Sequence, residues 1–337
     1  MKAIGYRQCL PVSDPESLVD FEMDEPRVGG RDLLVRIHAV SVNPVDTKLR
    51  RNVPPAQGET RVLGFDAAGV VEAVGPEVTL FKPGDEVWYA GSRARTGTNA
   101  ELHLVDERIV GHKPRTLDFA QAAALPLTTI TAWESLFDRL QLQIGRPVGQ
   151  GTLLITAGAG GVGSIAIQLA KRLTAVRVVA TASREESRRQ AEQLGADLVV
   201  DHSRPLSEEL RRVGIKWVEN AFSVSNTDQH FAEIAKVIAP HGRVCVIDET
   251  GPIDVRLLKP RSASLHWEGM FTRSGFGTPD MAAQGRLLTE VAGLVDAGLI
   301  RTTHSATFGR IDAATLRAAH AAVESGRTIG KIVLAGF

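Results

Sequence analysis

One turn constrains this chain more than any other part of its 337 residues. The run Thr152-Leu153-Leu154-Ile155-Thr156-Ala157-Gly158-Ala159-Gly160-Gly161-Val162-Gly163 places G-x-G-x-x-G, at Gly158, Gly160 and Gly163, directly after an apolar, β-branched stretch. Behind it Val162, Ile165, Ala166, Leu169, Ala170 and Leu173 recur at helical spacing,. The glycine pattern alone says little; between a strand and an amphipathic helix it reads as a turn that receives a dinucleotide pyrophosphate. Gly158 permits the tight turn, Gly160 lets backbone approach the phosphates, and Gly163 lets helix pack closely on strand. The first helical turn has N–H groups without intrahelical acceptors, and these suit an anion. Ala159, Gly161 and Val162 share the loop and belong to the same binding set.

The pattern around this turn predicts an α/β chain with a doubly wound parallel sheet, a Rossmann-type domain. Strands are expected near 152–157, 177–182, 198–200, 217–222, 243–248 and 264–269, separated mostly by helices. The first third reads differently. Leu33 to Ala39 keeps apolar residues at odd positions and includes Arg36 and His38 at even ones, a period of two,. Val70–Val74 and the Pro83-Gly84 turn into Val87 continue a small barrel-like β domain,. Helices are expected at 118–125, 131–140, 279–297 and 313–324, and a last strand at Lys331–Leu334.

The second strand bears on cofactor choice. An NAD site usually has an acidic residue near its tip for the ribose 2′-OH. Here the strand runs into Ser183-Arg184. A serine hydroxyl and a guanidinium suit a 2′-phosphate, so NADPH is the expected cofactor. Ser183 also reads as a helix N-cap with Glu186 completing a capping box. Glu185 and Glu186 are discordant, since either would repel a phosphate it faced.

Composition excludes several partners. Lys plus Arg and Asp plus Glu both number 39, which gives no general pull toward nucleic acid or anionic membrane,. No apolar run approaches the ~18 residues of a spanning helix. The start of the chain lacks a signal-peptide core, and only Cys9 and Cys245 are present. A reducing, cytoplasmic setting is therefore expected.

Further motifs carry a resemblance. Ser41-Val42-Asn43-Pro44-Val45-Asp46, Leu63 to Val71, Pro83 to Val87, Ala157 to Lys171 with Gln168, Leu194 to Asp197 and Gly330 to Leu334 together resemble the medium-chain dehydrogenase/reductase superfamily. The similarity is greatest to its zinc-lacking quinone oxidoreductase branch and to bacterial zinc-type alcohol dehydrogenase-like proteins. It implies a GroES-like β-barrel catalytic domain over 1–123 completed by 272–337, a Rossmann domain over 124–271, and a homodimer formed partly through sheet edges. Where zinc members place a Cys, a Gly-His-Glu and a later Cys or Asp, this chain has Asn43, Gly64-Phe65-Asp66 and apolar residues near Ala123. Asn and Phe are not zinc ligands, so no metal is expected.

The resemblance also implies roles. Asn43 would contact substrate or nicotinamide, unless it forms an Asx turn before Pro44. Asp46 would orient Lys48 or Arg50, or be a surface charge; Lys48 would donate to an oxyanion. Asp66 would hold backbone. Thr128 and Thr131 would face nicotinamide or serve as packing and caps. Ile247, Phe271 and Lys331 complete the cofactor set, while Tyr89 and Trp267 would line the pocket or belong to the core. Without a Lewis acid, a conjugated acceptor such as a quinone or an α,β-unsaturated carbonyl is the expected substrate. The alternatives are an alcohol- or aldehyde-type carbonyl reductase and a non-catalytic NADPH-binding regulatory protein.

Overall fold

A computed structural model describes residues 1–145, 149 and 151–337. They divide into two compact units, Met1–Leu127 with Phe271–Phe337, and Thr128–Met270. The junctions thus fall after Leu127 and Met270 rather than after 123 and 271. Residues 124–127 stay with the first unit through hydrogen bonds. The Ala124 carbonyl accepts from Thr303 Oγ1 at 3.0 Å and the Leu127 N–H donates to Asp66 Oδ1 at 2.6 Å.

The second unit is built on a six-stranded sheet in the order Leu198–Val200, Arg177–Thr181, Thr152–Ile155, Val218–Ser223, Ile238–Val246, Ser264–Trp267. Every neighbouring pair is parallel. The near-continuous apolar runs in these strands follow from burial on both faces. Chain order reverses at Thr152–Ile155, and the glycine turn leaves from its carboxyl end, where open α/β sheets bind ligands,. The following helix, Gly161–Leu173, is buried all round from Gly163 to Ala170, more than a one-sided face. Leu154, Val179, Ala221 and Val244 from the sheet and Phe231 from helix Thr227–Val237 belong to one apolar cluster.

The first unit joins both ends of the chain in one sheet. Its order is His304–Gly309, Lys331–Ala335, Asp32–Ser41, Asp66–Val74, Glu86–Ala90, Val110–His112, with Leu102–Asp106 also pairing to Asp32–Ser41. The pairing Val333↔Ser41 sets the start of the last strand beside the end of an early one. A three-stranded sheet, Val19–Glu22, Lys2–Tyr6 and Arg61–Val62, lies in the same unit.

Several expectations change. The helix expected over 131–140 is an α-helix at Pro126–Trp133 followed by a π-helical turn, Glu134–Arg139, with Leu140 N–H donating to the Ser135 carbonyl. The helix expected from 279 begins at Ala283, because Asp280 accepts from Thr278 Oγ1 and from Arg273 in a turn before it. Trp267 is 55% exposed on an edge strand and so is not core, whereas Tyr89 is fully buried and bonds His103 Nδ1 at 3.0 Å. Among the described residues no helix is long and apolar enough to cross a membrane.

Candidate active site

In the second unit the glycine turn is shaped by close contact. Gly158 N–H donates to the Thr181 carbonyl at 3.0 Å, and a β-carbon at Gly158 would stand 2.7 Å from Ala180 Cβ. A β-carbon at Gly163 would stand 2.4 Å from the Ala157 carbonyl oxygen. At Gly160 the nearest such atom is 3.5 Å away, so that backbone remains approachable. The left-handed residue of the turn is Ala157, φ 52°, not Gly158. Gly158 is thus required by its approach to the next strand, and the expected tight-turn role falls to its neighbour. Ala157 is held there by its N–H donating to Thr181 Oγ1 at 3.0 Å. Gly160 caps the helix with no side chain, leaving the N–H groups of Gly161, Val162 and Gly163 oriented as an anion site,. Ala159 is buried in the same turn.

The second-strand tip corrects one reading. The helix Glu185–Gln193 is capped by Arg184, extended at φ −113° and ψ 147°, with no side-chain cap bond. Ser183 therefore precedes the cap and does not form a capping box with Glu186. Ser183 is exposed and Arg184 half-buried at the carboxyl end of the strand. Glu185 accepts from Arg189 at 2.9 Å one turn along the helix, which accounts for one of the discordant acids. Thr128 and Thr131 are buried on helix Pro126–Trp133, and Ile247 is half-buried just past its strand.

In the first unit a buried polar cluster joins three stretches of sequence. Asn43 ends an extended run, and Pro44 opens helix Pro44–Asn52 at the position where its missing N–H costs nothing,. Asp46 accepts from the Asn43 backbone N–H at 2.8 Å and from Gly64 N–H at 3.1 Å. Asp66 begins the strand beyond Gly64. Its Oδ2 accepts from Ser41 Oγ at 2.7 Å, Asn43 Nδ2 at 2.8 Å and Lys331 Nζ at 3.2 Å; its Oδ1 accepts from Leu127 N–H. The Lys331 ammonium also donates to Asn43 Oδ1 at 2.5 Å and the Val42 carbonyl at 2.9 Å. Its three hydrogens thus meet three acceptors,. The network also fixes the Asn43 carboxamide, with oxygen toward ammonium and nitrogen toward carboxylate. The remaining amide hydrogen makes a long hydrogen bond, 3.5 Å, to the Ser41 carbonyl.

Burial sets the electrostatics. Asp46, expected at the surface, is buried, and desolvation pushes its carboxyl up to about 7 against the pull of its two N–H donors and Lys331,. It does not orient Arg50. Arg50 is fully buried and bonds the Leu10 carbonyl, His320 and Glu324 instead. Lys48 is half-buried on the same helix. Desolvation also holds Lys331 below its ordinary value, with Asp66 and Asp46 opposing the shift. Phe65 packs its ring 4.7 Å from that of Phe271, tilted by 56°, giving the cluster an aromatic neighbour.

The sequence matches the alcohol dehydrogenase GroES-like domain family over residues 29–124 and the zinc-binding dehydrogenase family over 161–283. A zinc-type alcohol dehydrogenase-like protein of Staphylococcus aureus is 38% identical over 336 residues, covering 99% of each chain. The chain belongs to the medium-chain dehydrogenase/reductase superfamily. Among solved structures of that superfamily, a Rhizobium etli protein described provisionally as a zinc-dependent alcohol dehydrogenase is 55% identical with TM-score 0.96, covering 100% of this chain and 98% of that one. A Pseudomonas syringae quinone oxidoreductase is 27% identical with TM-score 0.83, covering 99% of each. The GroES-like and Rossmann-type architecture expected from the sequence is thereby shown.

The names of several relatives raise zinc, and the residues can be tested for it. Asn43 gives its oxygen to Lys331, both oxygens of Asp66 are taken, and Phe65 has no donor atom. An ammonium sits in this cluster. The donor set does not fit zinc. Among the described residues no group of three or more His, Cys, Asp and Glu side chains could hold a metal ion.

The sequence anticipated the loop, Asn43 and Lys331 but not how they combine. Asp66 was read as holding backbone, which its Oδ1 does for Leu127, and Lys331 as a cofactor contact. The structure makes Asp66 the hub and Lys331 its counter-ion. The available signal was Gly330-Lys331 at a strand start, whose partner lies 288 residues away.

Proposed function

We propose that this protein is an NADPH-dependent oxidoreductase that passes hydride to a quinone or an α,β-unsaturated carbonyl without zinc. The observation that carries the reading is the closed Asn43–Asp66–Lys331 network, in which Asn43 takes the place of the first cysteine ligand that the resemblance to zinc members implies. Such a site has no Lewis acid, so it suits acceptors whose charge spreads over an enolate or a quinol oxygen. The cofactor would carry the hydride. Gly158, Ala159, Gly160, Gly161, Val162 and Gly163 would hold its pyrophosphate, with Ser183 and Arg184 at the 2′-phosphate and Thr128, Ile247 and Phe271 toward the nicotinamide. Lys331 leaves that set, because its hydrogens are committed; we assign it a positioning role for Asn43. Asn43 would donate its remaining amide hydrogen to the substrate oxygen, with Lys48 as a second donor and Asp46 bracing Asn43 through its backbone.

The quinone oxidoreductase neighbour at 27% identity supports this acceptor class, while another at 29% is an NAD-dependent alcohol dehydrogenase. A homodimer through the edge strand Ser264–Trp267, with its exposed Trp267, and a cytoplasmic location belong to the same reading. Steady-state turnover of quinones, enones and simple alcohols separates the alternatives. Reduction of a conjugated acceptor should be fastest; faster oxidation of a simple alcohol would replace this reading with the alcohol dehydrogenase one, and no turnover of any would favour a regulatory protein. Asn43→Ala should lower turnover with little change in cofactor affinity.

A further inference from the structure

Strands Arg177–Thr181 and Leu198–Val200 run parallel with Thr181 opposite Val200. Ala182 N–H donates to the Val200 carbonyl at 2.9 Å, so the pairing persists past Thr181. Ser183 and His202 each lie two residues beyond that pair. His202 is fixed there by its Nδ1, 2.9 Å from Thr181 Oγ1. That same oxygen accepts from the Ala157 N–H. One hydroxyl therefore ties together the glycine turn, the second-strand tip and an imidazole. His230, from helix Thr227–Val237, meets the His202 ring at 5.7 Å between centroids and 48° between planes. Neither imidazole has a role in the reading above.

We propose that His202 is a second cofactor-selecting group, whose protonated imidazole pairs with the 2′-phosphate of NADPH, so that affinity for NADPH, unlike that for NADH, falls as pH rises through neutrality. This rests on the NADPH reading of the preceding section. The Thr181 hook allows both protonation states. A hydroxyl accepts twice and donates once. With neutral His202 it accepts from Ala157 and donates to Nδ1, leaving the proton on Nε2. With charged His202 it accepts from both, so the turn keeps its anchor.

The surroundings set the direction. Burial and the facing His230 hold His202 below its usual range, and Asp201 on its own loop opposes them. Asp201 is itself engaged by Ser203 N–H and Oγ, with Arg204 4.0 Å away, and its backbone N–H donates to Glu209. From helix Thr227–Val237, His230 brings Asp228 and Asp248 as its own opposing charges; Asp248 is bound by Thr227. From the second-strand tip comes Arg184. With no anion bound, His202 is mainly neutral at pH 7. A phosphate beside it favours the charged form, and a charge-assisted bond results. Each unit by which the bound pKa exceeds the free one gives about tenfold in affinity between the low- and high-pH limits. A phosphomonoester itself titrates near ~6, so the comparison belongs above that pH.

The test is the Kd of NADPH and NADH, by fluorescence titration, at pH 6.5 and 8.5 for the unmodified protein and His202→Gln. NADPH should weaken about tenfold across that range in the unmodified protein and NADH by less than about twofold. His202→Gln should abolish most of the NADPH difference. An equal pH response in both proteins, with NADPH still preferred, overturns the His202 role alone. Equal affinity for the two cofactors at both pH values overturns the NADPH reading and this proposal with it. Should the variant fold poorly, the imidazole resonance of His202 in the intact protein decides. Its midpoint should rise with NADPH and not with NADH, and an unmoved midpoint contradicts the proposal.

Discussion

The two units use their polar groups in opposite ways. In the Rossmann-type unit the important donors are backbone N–H groups at a helix start, left without side-chain caps by Gly160. In the GroES-like unit the important groups are side chains that satisfy one another: the hydrogens of Lys331 and both oxygens of Asp66 are committed. The first arrangement is open toward a ligand and depends on the absence of β-carbons. The second is closed and depends on charge balance in a buried place. The difference teaches that the Rossmann-type unit fails through sterics, while the GroES-like unit fails through uncompensated charge.

Lys331→Met should break the closed cluster most severely. It strands the Asp66 carboxylate with neutral donors, and losing one partner of a buried pair costs about 3–5 kcal/mol. Urea unfolding should show that loss, and Lys331→Met with Asp66→Asn should recover part of it. If the single variant is as stable as the parent, the pair does not hold this unit.

The turn supplies the contrasting test. Gly163→Ala sets a β-carbon 2.4 Å from a carbonyl oxygen, whereas Gly160→Ala has 3.5 Å of room. The first should cost about 1–3 kcal/mol of stability and lose cofactor binding. The second should leave the melting temperature nearly unchanged while weakening the cofactor, because the added methyl stands where phosphate approaches. Equal stability losses would show that the turn does not discriminate the two positions by space.

Asp46 sharpens the charge argument through pH. Its folded pKa, raised to about 7, lies above the unfolded value. The folded state therefore favours the protonated carboxyl, and the contribution to stability present below about pH 4 is lost as pH rises toward 7. Between pH 5 and 8 the loss should be on the order of 2–3 kcal/mol, and Asp46→Asn should flatten it. A pH-independent difference between the two proteins would remove Asp46 as the titrating group. Smaller still is Arg184→Ala, which should weaken NADPH relative to NADH by about 1.5 kcal/mol, the low end for a bond to a charged group. Competitive titration with both cofactors reads it directly.

These differences follow how each unit is written in the chain. The Rossmann-type unit was legible because its signals are local: apolar strands, G-x-G-x-x-G and a helix stand within Thr152–Leu173. Even there local reading misplaced a detail, since the strain falls on Ala157 and the cap on Arg184. The first depends on a contact with the next strand. The Asn43 cluster was half legible. The substitutions at the metal positions were visible, but Asp46 resembles a surface acid in a polar helix, and nothing near Lys331 in sequence reports Asn43. A pairing of strand Asp32–Ser41 with the last strand brings them together, and periodicity carries no information about that. His202 follows the short strand Leu198–Val200, and its meaning arises only from the Thr181↔Val200 register.

The central proposal is that an internal ammonium closes the cluster around Asn43, so that turnover of a conjugated acceptor would owe nothing to zinc. Elemental analysis of the purified protein, paired with NADPH-dependent quinone reduction before and after exhaustive chelation, tests it most directly. The account predicts well under one zinc per chain and an unchanged rate after chelation. One tightly held zinc per chain, with activity lost on its removal and restored on its return, would contradict it.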